Sequence, residues 1–212
     1  MNSSPRIVIA CDPGLANVGY GVVRRHSNSA RPELVESGKI ETPADWGLND
    51  RLKKIWRELA LLCCDKQIRP HYFGIEDQNG ARVGARMNAK RQLDAARQGK
   101  AIKAFGFNAN TDAVGEVVGI MKAVAFSYGI PVVMYAPQQA KIAVCGKGMG
   151  HATKLEVINA IRFVMFQGIN QTVGEHEADA LAGAVFVERM VHMQNKVVRG
   201  PRAAMQKARK AG

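Results

Sequence analysis

Three strand-like segments follow one another within the first 42 residues, before any helical periodicity begins. Residues 6–11 read RIVIAC, an apolar, β-branched run of the kind that forms a buried central strand. Residues 19–25 (GYGVVRR) follow a glycine-bearing turn, and residues 33–42 (ELVESGKIET) alternate well enough for a third strand. The links are too short for crossover helices, so the three segments predict an antiparallel meander. The period then changes. Leu48, Leu52, Ile55, Trp56, Leu59 and Leu62 recur at helical spacing within 45–67, Asn49 and Asp50 suit the positive end of that helix, and Pro70 follows it.

Strands and helices alternate from there. Residues 71–77 (HYFGIED) predict a fourth strand, 111–128 a helix rich in small residues, and 131–135 (PVVMY) a fifth strand. Pro137 can open a short helix, 152–166 predicts a helix capped at or beside Thr153, and the last helix covers 175–193. The order β-β-β-α-β-α-β-α-α predicts an α/β fold with a mixed five-stranded sheet flanked by helices, the outline of RNase H-like proteins. At 212 residues the expectation is one domain over 1–193, interrupted by a basic insertion at about 78–107 and followed by a basic, flexible tail at 194–212. The insertion is read as a loop with one helix near 85–98.

The formal charge of +12 directs attention to a polyanionic partner, because cations paired with phosphates release counterions. Arg82, Arg86, Lys90 and Arg91 concentrate charge in the insertion, Lys147 sits between two glycines, and no acid follows Arg189. The four cysteines, Cys11, Cys63, Cys64 and Cys145, lack zinc-ribbon or CxxC spacing and predict reduced thiols, which fits a cytoplasmic setting. No apolar run is long enough for a membrane span, and the first ten residues lack a signal-peptide pattern.

Against that basic background, three acids occupy positions where chemistry is expected. Asp12 ends the first strand and Glu76 ends the fourth, so both fall at the carboxyl end of the sheet. If strand four lies beside strand one, the two carboxylates are neighbours that repel unless a cation neutralises them. Asp77 has the opposite strand parity and ranks below Glu76. In the last helix Asp179 shares a face with Glu175 and His176, while Glu177 turns away. Either His176 or Glu175 could complete the set with Asp179. Each element alone has an ordinary structural explanation, a turn at Asp12-Pro13-Gly14 or an acidic first helical turn; the three together predict a divalent-cation site in a nuclease.

Four segments carry a family resemblance: IACDPGLANVGYGVV at 9–23, HYFGIE at 71–76, YAPQQAKIAVCGKGMGHATKLEV at 135–157 and HEADALAGA at 176–184. They are collinear with, and similar to, motifs of the RuvC Holliday-junction resolvases. That resemblance implies an RNase H-like homodimer that nicks four-way DNA junctions with two Mg2+ ions per site (Mn2+ can substitute) and leaves 5′-phosphate ends. It implies metal-binding roles for Asp12, Glu76, Asp179 and His176, and places Lys141 and Lys154 near the scissile phosphate. The stretch after Glu76 departs from the family pattern. It is longer and basic, and holds no aromatic from Gln78 to Ala104, where well-studied bacterial members carry one that stacks in the junction centre. A wider range of branched DNA is one consequence. The competing readings are an RNase H-type enzyme on RNA–DNA hybrids, a junction-binding protein without catalysis, and an actin-like ATPase, for which the chain is too short.

Overall fold

The computed structural model describes residues 5–27, 29, 31–77, 109–165 and 173–210, with side chains for all of these except 109–111, 163–165 and 195–210. Its strands are β1 (Arg6–Asp12), β2 (Asn17–Arg25), β3 (Glu33–Glu41), β4 (Tyr72–Glu76) and β5 (Val132–Tyr135). Its helices are α1 (Leu48–Cys64), α2 (Ala109–Ser127), α3 (Pro137–Cys145), α4 (Lys154–Asn159) and α5 (Glu175–Lys210). The sheet order is β3-β2-β1-β4-β5. The meander β1-β2-β3 is antiparallel, whereas β4 joins β1 and β5 joins β4 in parallel. The predicted mixed five-stranded sheet is therefore present, with strand four beside strand one.

Period-two alternation divides β1 between two cores. Ile7, Ile9 and Cys11 face a layer with α1 and α2, built on Ile55, Leu59, Val117 and Met121. Val8 and Ala10 face the opposite layer, built on α3, α4 and α5 with Leu181 and Val185 at its centre. Full burial of each such aliphatic side chain stabilises the fold by about 1.5–3 kcal/mol. Asp12 has the parity of Val8 and Ala10, and Glu76 has that of Gly74, which packs against Ala10, Tyr135 and Val187. Both acids thus belong to the α5 face.

α5 can reach that face because two positions on β2 lack side chains. A Cβ on Gly19 would lie 2.1 Å from the His176 carbonyl oxygen, and one on Gly21 would lie 2.7 Å from Leu181. Gly183 serves the same end from the helix side, since a Cβ there would lie 2.0 Å from the Tyr135 hydroxyl oxygen. Tyr135 is buried, and its hydroxyl donates to the Cys11 carbonyl at 3.3 Å.

At the far end of β1, Arg6 and Arg25 are cross-strand partners. Their like charges are offset by the fully buried Glu188 of α5, at 2.6 Å from Arg25 and 3.6 Å from Arg6. The helix runs antiparallel to β1, held at one end by Glu188 and at the other by His176. The two spans match: about 18 Å of helix between those residues and about 20 Å of strand.

Two elements differ from the sequence expectation. The helix predicted over 152–166 is α4 followed by a π-helical turn, Ala160–Met165. The last helix, expected to end near 193, continues to Lys210. Ala, Lys, Arg and Gln over 202–210 favour helix, whereas Gly200 and Pro201, through which the helix runs, disfavour it. The basic insertion and the helix expected near 85–98 lie outside the described residues. All four cysteines are free thiols, and among the described residues no helix is long and apolar enough to cross a membrane.

Replacing Glu188 with Gln removes the counter-charge from the buried Arg25 and the partly exposed Arg6. The expected loss is about 3–5 kcal/mol of folding stability, measured by urea or thermal denaturation. A change below 1 kcal/mol would show that the buried pair does not hold α5 to the sheet.

Candidate active site

The acids predicted from sequence come together where β1, β4 and α5 meet. Asp12 and Glu76 project from adjacent parallel strands toward α5, whose second turn supplies Asp179. Burial, then the nearby charges of Asp12 and Asp179, push the Glu76 carboxyl up to about 8. Asp179 is likewise raised by burial first and by Asp12 second, with Lys154, Lys141 and His176 pulling the other way. Three carboxylates therefore share one partly buried, electrostatically coupled space. Tyr135, buried beneath it, has its hydroxyl raised well above the ordinary range by burial and then by Glu76, so it stays protonated as a donor.

His176 is the fourth member. Its Nδ1 lies 2.8 Å from Asp12 Oδ2. If Nδ1 carries the proton, it donates to the carboxylate and Nε2 retains the lone pair. Glu175, which the sequence left open beside His176, and Glu177, which helical spacing turned away, face elsewhere. Glu175 Oε2 accepts a 2.6 Å hydrogen bond from Lys154 Nζ. Glu177 lies toward Gly174 and Tyr20.

The lysines flank the cluster from α3 and α4. Lys141 Nζ donates to the Ala152 carbonyl at 2.7 Å and lies within electrostatic reach of Glu76 and Asp179. Lys154 begins α4 directly after Thr153, whose hydroxyl accepts from the Glu156 amide while the Glu156 carboxylate accepts from the Thr153 amide and hydroxyl. This reciprocal cap fixes the helix start, and the Thr-x-x-Glu spacing announces it in the sequence. Lys147 is exposed between Gly146 and Gly148, whose φ angles of 106° and 90° suit glycine. Arg82, Arg86, Lys90 and Arg91 lie outside the described residues.

The donor set suits a hard divalent cation: three carboxylates raised or crowded by one another, with an imidazole beside them. Among the described residues, no three such donors converge tightly enough to enclose one ion, and Asp12 is engaged by His176. The fit therefore lies in donor chemistry and shared placement rather than in a preformed cage. Sequence reasoning passed over Gly19 and Gly21. Their i, i+2 spacing in a strand signals one face open to close backbone approach, and that approach sets the position of His176.

The Glu76 shift has a direct consequence for stability. An unfolded Glu76 ionises near 4.5 and the folded one near 8. Between those values the unfolded chain has lost a proton that the folded chain keeps, so rising pH favours unfolding. With EDTA present, the melting temperature is expected to carry a falling component as pH rises from 4.5 to 8, and Glu76→Gln removes it. If Mg2+ is held by these oxygens, it is expected to stabilise more at pH 8 than at pH 5, because protons compete for them. An unchanged pH slope in Glu76→Gln would contradict this assignment.

The chain is similar to known proteins over most of its length. Residues 8–105 match the family described as crossover junction endodeoxyribonuclease RuvC. The RuvC of Treponema denticola is 31% identical over 179 residues, covering 84% of this chain and 83% of that protein. The RuvC of Synechococcus is 32% identical over 156 residues, covering 73% and 80%. Among solved structures, Thermus thermophilus RuvC in complex with a Holliday junction substrate superposes with a TM-score of 0.66 at 25% identity, covering 89% of this chain and 96% of that one. The fold is thus RNase H-like, and the chain belongs to the RuvC family of metal-dependent crossover junction endonucleases.

Proposed function

We propose that this protein resolves four-way DNA junctions, and other branched DNA, by hydrolysing phosphodiester bonds to leave 5′-phosphate ends. The observation that carries the reading is the placement of Asp12, Glu76 and Asp179 on one face of the sheet, with Lys141 and Lys154 beside them. Family membership supports the same substrate.

Asp12, Glu76, Asp179 and His176 would hold two Mg2+ ions, or Mn2+ in their place. Bound there, the ions supply Lewis-acid activation of water and stabilisation of the leaving 3′ oxygen. The chain itself supplies the rest. α5 holds Asp179 and His176 over the ends of β1 and β4. The imidazole steadies the Asp12 carboxylate through the 2.8 Å contact. Lys141 and Lys154 offset charge that grows on the phosphate oxygens. Lys147 reaches DNA from its glycine-flanked turn, and Arg82, Arg86, Lys90 and Arg91 add backbone contacts that position the arms without reading sequence.

Two copies act together on the two strands. α2 buries Val117, Met121, Val124 and Ala125 in its own core, so its opposite side, with the open Gly119 and the exposed Ala123 and Phe126, is the surface offered to a second subunit. As domain organisation, residues 1–193 form the nuclease unit carrying the basic insertion at 78–107, and 194–212 form a basic extension that grips DNA.

The deciding experiment is cleavage of a four-way junction, a Y-fork, linear duplex and an RNA–DNA hybrid, in Mg2+ or EDTA. Junction cleavage is expected to exceed linear-duplex cleavage and to vanish in EDTA. Asp12→Asn and Asp179→Asn are each expected to lower kcat by about 10²-fold or more while junction binding persists. Equal cutting of linear duplex, preference for the hybrid, or undiminished cleavage by Asp12→Asn would each refute the reading.

A further inference from the structure

The two lysines beside the carboxylates are held in different ways. Lys141 Nζ rests on a neutral backbone carbonyl, that of Ala152, at 2.7 Å. Lys154 Nζ rests on a charged group, Glu175 Oε2, at 2.6 Å. Only the second is a full anion, which another anion can replace charge for charge. Both ends of that contact are anchored. Lys154 opens α4, whose start is fixed by the Thr153–Glu156 cap. Glu175 opens α5 one residue before His176, whose backbone lies against Gly19. A carboxylate in the first turn of a long helix is also favourably placed by the helix dipole. Motion is therefore left to the two side chains, which are 55% and 58% exposed.

We infer that Glu175 is a positioning residue that stands in for the scissile phosphate, holding Lys154 beside the acid cluster until DNA displaces it. The inference rests on the proposed role of Lys154 at the phosphate. Asp179 and Asp12 act on the same ammonium more weakly than Glu175, which is the anion in direct contact with it. An exposed ion pair is weak enough to be exchanged for a phosphate, which a desolvated one would resist. A phosphate oxygen arriving at Lys154 releases Glu175 to solvent, so DNA binding is reduced by the strength of the contact it breaks. For an exposed pair that reduction is about two- to fivefold.

The test is a double-mutant cycle read by fluorescence anisotropy of a labelled four-way junction in EDTA, with steady-state cleavage in Mg2+ alongside. Glu175→Gln is expected to tighten junction binding about two- to fivefold and to lower KM by the same factor, with kcat unchanged. Glu175→Asp should move back toward the wild-type affinity. In a Lys154→Ala background, adding Glu175→Gln should change affinity by less than about 1.5-fold, because no ammonium is left to release. Three outcomes would overturn the inference: unchanged affinity in Glu175→Gln, an equal gain with Lys154 removed, or a fall in kcat with KM unchanged. The first denies the competition, the second reduces Glu175 to a bulk surface charge, and the third makes it part of the frame of the site. Failure of the proposed function itself is seen separately, as absence of junction binding and cleavage in the wild-type protein.

Discussion

The site depends on how closely α5 can lie along β1 and β2. The helix backbone passes over Gly19 at a distance that no side chain there would permit, and Leu181 settles over Gly21 in the same way. Glu188 and His176 then secure the helix at the two ends of β1, the first through Arg25 and Arg6 and the second through Asp12. Close packing makes such an interface intolerant of added volume, because neighbours relax only partly. A helix lifted by one methyl group would carry Asp179 away from Glu76 and loosen the imidazole from Asp12. Packing and chemistry therefore answer to the same few contacts.

Electrostatics gives that placement its use. Burial together with two neighbouring carboxylates keeps Glu76 protonated well above the ordinary carboxylate range. The fold bears this cost at one end of the sheet, and a divalent cation held there, as proposed, would relieve it. The opposite end of β1 shows the same problem solved internally, with Arg6 and Arg25 sharing the buried Glu188. One end is neutralised by the chain and is structural. The other keeps its carboxylates crowded, and is the end to which the proposed function assigns the metal.

The lysines extend this logic to the substrate. Both sit on short helices that pack beside α5, so their backbones are as firmly placed as the acids while their side chains remain free to exchange partners. A basic protein that must admit a phosphate next to carboxylates needs cations close to the site but not collapsed onto it. Lys141 on a carbonyl and Lys154 on Glu175 meet that need in two ways.

Much of this was legible in the sequence. Three strands before the first helical period implied a meander, and the later alternation implied parallel additions, because short links and helical crossovers admit few other sheets. The acid at the end of β1 and the acid at the end of β4 could be read as neighbours from parity and strand order, and Asp77 could be set aside on the same ground. Local signals failed where the outcome depended on residues distant in the chain. Glu175, His176 and Glu177 are consecutive, and helical spacing alone left two of them as candidates. The tertiary structure separated them by bringing Lys154 to Glu175, Asp12 to His176 and Tyr20 toward Glu177. The extent of α5 also differed, since the helix continues to Lys210 through a segment read as a tail. What the sequence determined by itself was the set of elements and the acids that end them, because both follow from periodicity along the chain. Only the tertiary structure decided which polar partner each acid keeps, because that is set by how near one backbone can come to another, and here by a strand glycine beneath a helix.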